Sequence, residues 1–96
     1  MAKITSINLS NQNLTKIPDE VYSYHHLRKL NLSGNKITNI SSQIVQLKRL
    51  KVLNLSNNNF TQLHAGIFKL PSLEILIISG NNIKTLPQQI ATLTKN

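Results

Sequence analysis

Cysteine is absent from this chain, and with it go disulfides, thiolate metal ligands and cysteine nucleophiles. Tryptophan is absent too, and two tyrosines with two phenylalanines are too few to build stacking platforms for single-stranded nucleic acid. The three glycines, Gly34, Gly66 and Gly80, are isolated from one another, so neither a P-loop nor a G-x-G-x-x-G cradle can be drawn. A nucleophile elbow is missing as well. Acidic residues number three, Asp19, Glu20 and Glu74. Two of them are neighbours ahead of an expected helical turn, where negative charge suits exposed N–H groups, so they read as a cap rather than an acid/base pair. No apolar run approaches the roughly 18 residues needed to cross a bilayer. The expectation is a chain that is not an enzyme and binds no cofactor.

What is present is repetition. A 23-residue unit starts at Ile4, Leu27, Leu50 and Leu73, dividing the chain into repeats 4–26, 27–49, 50–72 and 73–96 of a single domain, 1–96. Unit positions 1, 4, 6, 11, 14, 18 and 21 are apolar in every copy. At this hydrophobic content, chance agreement at all of them is on the order of 10⁻¹¹ before the choice of register is counted. A fixed period of this size means a solenoid.

Positions 1 to 6 alternate as a short strand, as in Leu27-x-x-Leu30-x-Leu32 and Leu50-x-x-Leu53-x-Leu55. Positions 4 and 6 then face inward, and 3, 5 and 7 outward. Equivalent strands one unit apart can pair in parallel. Position 9 holds Gln12, Asn35, Asn58 and Asn81. An inward-turned amide carries donors and an acceptor, so this column predicts a structural ladder that satisfies backbone groups where each coil bends. Gln12 departs from Asn in an end repeat, where atypical residues are expected. Each unit closes on apolar residues three apart, Val21/Tyr24, Ile44/Leu47, Ile67/Leu70 and Ile90/Leu93, preceded in two copies by Pro18 or Pro87. That pattern predicts a short α or 3-10 turn. Ser41 and His64 replace the proline in the middle copies, so looser turns are expected there. Tyr24 reads as a substituted core leucine whose hydroxyl reaches outward.

The motif L-x-x-L-x-L-x-x-N-x-L, seen in full over Leu27–Ile37 and echoed in four consecutive units across residues 4–93, resembles the leucine-rich repeat family. The unit length, with a proline after position 14, is similar to the intracellular repeats of Ras-pathway scaffolds, plant proteins and bacterial proteins. The resemblance implies an α/β fold: a right-handed leucine-rich repeat solenoid of four coils, with a parallel concave sheet and short turns on the convex side. It also implies protein recognition, without naming the partner.

The face that would bind follows from strand positions 2, 3, 5, 7 and 8. Position 2 reads Thr5, Arg28, Lys51, Glu74; position 3 reads Ser6, Lys29, Val52, Ile75; position 5 reads Asn8, Asn31, Asn54, Ile77; position 7 is always serine. The face therefore grades from small and polar, through basic, to apolar. The expected partner-binding residues are Arg28, Lys29, Asn31, Lys51, Val52, Asn54, Glu74, Ile75 and Ile77. Net charge is +8, and His25, His26, Lys48 and Arg49 enter beside the basic stretch, which points to an acidic protein or another anion. The competing reading is charge that keeps an open sheet soluble and unpaired. Outward aliphatics at Val52, Ile75 and Ile77 point to contact with a further repeat, another copy or a target.

Other signals carry less. Six Asn-x-Ser/Thr sequons occur, three of them (Asn8, Asn31, Asn54) because the strand itself reads NLS, so glycosylation is not expected. His25-His26 has no third ligand at a useful spacing, and His64 lies more than a unit away, so no metal site is expected. The start MAKITSINLS lacks a basic stretch followed by an apolar core, and without cysteines to cap its ends the chain is expected in the cytoplasm. The function expected is a protein-interaction module acting through its concave face. No small-molecule substrate is expected, and nucleic acid or a membrane surface is the less favoured partner. The alternative is a structural, self-associating or array-forming segment, with a homodimer formed through the C-terminal coil, where the inward residues Leu73, Leu76, Ile83 and Leu86 have no following coil to cover them.

Overall fold

The computed structural model describes residues 3–84. Among these residues four strands alternate with three 3-10 helices: β1 (Ser6–Asn8), η1 (Asp19–Ser23), β2 (Lys29–Asn31), η2 (Ser42–Gln46), β3 (Val52–Asn54), η3 (Ala65–Lys69) and β4 (Ile75–Ile77). The strands lie side by side in sequence order and pair in parallel. Each pairing joins a residue to its equivalent one unit later, as in Ile7 with Leu30, Leu30 with Leu53, and Leu53 with Leu76. Regular strand covers only positions 3 to 5 of the unit, but the backbone ladder runs further. Leu9 N–H donates to Asn31 O at 2.8 Å and Asn11 N–H to Ser33 O at 2.9 Å.

The chain leaves each strand through a left-handed residue at position 8. Asn11 and Asn57 have φ of 56° and 55°, and Gly34 and Gly80 have 71° and 72°. Asparagine and glycine are the residues that tolerate this region best. Their alternation has a second cause. A Cβ added at Gly34 would collide with the Asn11 side chain, and one added at Gly80 with that of Asn57. Each amide therefore lies over the bare glycine of the next coil.

All seven apolar positions are buried in the second and third coils, from Leu27 to Leu47 and from Leu50 to Leu70. In the first coil Ile17 and Val21 are buried, but Ile7, Leu9, Leu14 and Tyr24 are only half-buried. Ile4, expected in the core, is 42% exposed. In the fourth coil Leu73 is buried and Leu76, Ile78 and Ile83 are half-buried. The core positions expected at Leu86, Ile90 and Leu93, and Pro87 before them, lie outside the described residues. The periodic pattern also passed over Tyr22, which is buried. Position 19 sits beside the inward i, i+3 pair of the 3-10 turn, and its burial depends on the neighbouring coil. Phe68 is half-buried there and Val45 is exposed. Burial pushes the Tyr22 hydroxyl above its ordinary value, with the Ser41 backbone pulling the other way and Asp19 adding to the rise.

The convex turns are five-residue 3-10 helices in all three cases, so the middle ones are no shorter than the first. Their caps differ. Pro18 supplies a fixed backbone and no side-chain bond. Ser41 Oγ accepts from Gln43 N at 3.2 Å, and His64 Nδ1 accepts from Gly66 N at 2.8 Å. Side-chain acceptors here take up N–H groups that the helix leaves unpaired, which is why the expected loosening is not seen. A Cβ at Gly66 would press on the His64 ring, so glycine admits that cap.

Candidate functional site

The amide column beneath the sheet sets the shape of the outward face of the strands. Asn35 Nδ2 donates to Leu9 O and Leu32 O, both at 2.9 Å, while its Oδ1 accepts from Gln12 N at 2.9 Å and Leu14 N at 3.0 Å. Asn58 repeats this between Leu32 O, Leu55 O and Ile37 N, and Asn81 between Leu55 O, Ile78 O and Phe60 N. Every rung thus bonds its own coil and the one before it. Gln12, expected as the first rung, does not join. Its side chain is exposed and reaches only Ser10 O at 3.4 Å. Its longer stem places the amide outside the turn, and Asn35 serves the Gln12 backbone instead.

Above the ladder, a second set of local bonds orders the outward asparagines. Asn31 Oδ1 accepts from Ser33 N at 3.0 Å and Ser33 Oγ at 2.7 Å, and Asn54 does the same with Ser56 at the same distances. Asn8 Oδ1 accepts from Ser10 N at 3.0 Å. These Asx-type turns explain why the NLS triplet recurs. They commit the acceptor oxygens, so the Nδ2 donors are what a ligand carbonyl would meet. In the fourth coil Ile77 occupies this place and the arrangement ends.

The register brings the position-3 and position-5 residues of four coils into two columns on one face. A shallow cavity of about 270 Å³ lies on it, with Ser6, Asn8, Lys29, Asn31, Val52, Asn54 and Ile77 in its walls. Val52, Asn31 and Asn54 are half-buried, and Lys29 is exposed. Ile75 and Ile77 are 49% and 37% exposed, unusual for isoleucine on a described strand. Arg28, Lys51 and Glu74 are also exposed but stand outside the cavity, just ahead of their strands. What the face offers chemically is donors at one end, cations in the middle and aliphatic surface at the other. Among the described residues no group of three His, Asp or Glu side chains is arranged to hold a metal ion, and no helix is long and apolar enough to cross a membrane.

A feature that the sequence did not reveal lies beside this face. Arg49 Nη1 is 2.9 Å from His26 Nδ1, across one unit of the repeat. Partial burial of the ring, then the charges of Lys3, Arg49, His25 and Arg28, hold His26 below the ordinary histidine value. The spacing of the two residues is one repeat, a signal that column-by-column reading could have caught.

A family described as a leucine-rich repeat region matches residues 3–95. Among solved structures, a leucine-rich repeat protein of Leptospira interrogans superposes with a TM-score of 0.76 at 27% identity, over 91% of this chain. The chain spans 28% of that protein's length. No curated protein matches. Parallel strands at one fixed register, an amide under each turn and a match along nearly the whole sequence agree. The chain belongs to the leucine-rich repeat family, whose members are typically non-enzymatic and generally bind other proteins.

Proposed function

We propose that this chain is a non-catalytic interaction module that takes a partner protein on its concave sheet, from Lys29 and Asn31 across to Ile75 and Ile77. The observation that carries this reading is the exposure of Ile75 and Ile77 beside the cavity, at positions that the other coils fill with serine, lysine, asparagine or the half-buried Val52. Paired outward aliphatics on an ordered sheet are surface that contact with a partner would cover. Arg28, Lys29 and Lys51 supply the polar border, and Asn31 and Asn54 supply fixed donors for backbone carbonyls.

The test is capture of a partner followed by mapping on variants. Ile77→Asp and the charge reversal of Arg28, Lys29 and Lys51 to Glu should each weaken binding about tenfold or more while leaving the fold intact. Unchanged affinity in both, with loss on Val45→Asp at the convex side, would move the binding face.

A second reading has its own support. β4 is the outer strand among the described residues, and Leu76 and Ile83 beneath it are half-buried where their middle-coil equivalents are covered. Self-association through that coil would cover both, and light scattering over a range of concentrations separates it from binding to another protein. Leu73, expected to be uncovered with them, is buried, and Leu86 lies outside the described residues.

A further inference from the structure

The turn ahead of each strand carries unit positions 22 and 23, and position 2 follows. Three columns result. One runs Lys3, His26, Arg49 and ends at Ser72; the next runs His25, Lys48 and ends at Pro71; the third runs Arg28, Lys51 and ends at Glu74. The sheet register stacks them across β1, β2 and β3, with strands about 4.8 Å apart. All these basic side chains are exposed except His26, which is half-buried. A recess of about 410 Å³ opens among His25, Gln46, Lys48 and Arg49. Of the three acids, Asp19 and Glu20 lie on η1 and Glu74 borders the ledge one coil beyond Lys51, so the stretch of the ledge from Lys3 to Lys51 holds cations alone.

One contact organises it. Arginine has only donors and stays charged, so in the 2.9 Å bond Arg49 donates and His26 Nδ1 accepts. The ring is then neutral with its proton on Nε2. The guanidinium is held toward the preceding coil, beside Lys3, His25 and Arg28, the other charges that act on His26.

We propose that this ledge docks an acidic segment of a partner protein, whose carboxylates engage Arg28 and Arg49 with Lys48 and Lys51 alongside. The proposal rests on the reading of the chain as a protein-binding module, but places this contact on the turns rather than on the sheet. Two guanidiniums suit carboxylates because they bond them in pairs. The ledge spans roughly 10 Å, which fits about three residues of extended peptide at the usual rise per residue. It is short for a nucleic-acid backbone, where some 6–10 phosphate contacts are common. No tryptophan, tyrosine or phenylalanine stands in its columns to stack a base. A bound carboxylate also favours the charged imidazole, so docking should draw a proton onto His26 and release Arg49 to the ligand.

A short polyglutamate peptide titrated into the full chain, followed by NMR of the histidine ring signals, tests this. The expected result is a saturable shift at His26, with its protonation midpoint moving up on binding. Affinity should fall roughly tenfold or more in the Lys48→Glu, Arg49→Glu double variant. Should that variant fail to fold, Lys48→Gln with Arg49→Gln serves, with the same loss expected. Ile77→Asp should leave peptide binding unchanged. Absence of a His26 shift would overturn the proposal. So would peptide binding lost in Ile77→Asp but kept in the ledge variants, which would leave the concave reading standing. Tighter binding to a duplex oligonucleotide or to phosphatidylserine vesicles than to polyglutamate at equal charge would overturn it in favour of a phosphate ligand.

Discussion

Leu53 and Leu76 occupy the same place in their repeats, face the same way and carry the same side chain, yet Leu53 is fully buried and Leu76 is half-buried. The same contrast separates Leu30 from Ile7 at the other end. In a repeat array each coil is covered only by the coils beside it, so stability is close to a sum of coil and neighbour contributions. The middle coils therefore hold the molecule together, and the outer coils are where residues can be spent on contact with something else. Ile75 and Ile77 lie in such an outer coil among the described residues, whereas the ordered Asn–Ser turns belong to the coils before it.

The sharpest way to break this comparison is a pair of truncations. Leu53→Ala removes a side chain with no exposure and should cost about 2–5 kcal/mol, whereas Leu76→Ala should cost distinctly less. Equal shifts in the denaturation midpoint would show that the outer coil is as tightly covered as the middle one.

A smaller effect is expected along the amide column. Asn58→Ala leaves Leu32 O, Leu55 O and the Ile37 N–H short of partners and should cost about 1–3 kcal/mol. Gln12→Ala, at the equivalent position of the first coil, should be close to neutral, because its side chain bonds only locally. Chemical denaturation of the two variants side by side decides between a ladder and a mere sequence habit.

The smallest effect concerns His26. Its folded value is lowered, so the folded chain binds fewer protons than the unfolded one in the window below the ordinary 6.5. Stability from this group is complete above that window and is lost as pH falls through it toward the lowered value. The thermal midpoint should therefore drop slightly between about pH 7 and about pH 5, and His26→Gln should remove part of the drop. An identical pH profile in the variant would mean that the surroundings of His26 do not lower its folded value in solution.

Much of the site could be read in advance, and the reasons it could not all be read are physical. The columns Lys29–Val52–Ile75 and Asn31–Asn54–Ile77 follow from the period alone, because equal unit lengths force equivalent residues together. Tyr22 escaped because the inward face of a 3-10 turn admits a flanking residue only when the next coil leaves room for it. Ile4 was placed inside by its pattern, yet it lacks the cover that Leu27 and Leu50 receive. The His26–Arg49 contact joins equivalent positions of neighbouring coils, but the period places the two residues side by side without deciding that their side chains meet.

The length of the coil, the residues that turn inward in a fully flanked repeat, the parallel order of the strands and the place of the asparagine ladder all follow from the amino-acid order. All of these are set by chemistry repeated at a fixed interval. It took the stacked coils to set how complete each burial is, that the described convex turns are 3-10 and how each is capped, why asparagine and glycine alternate at position 8, and that Arg49 reaches His26. Those outcomes depend on the particular side chain that arrives from the neighbouring coil, and its position in space exists only once the coils have stacked.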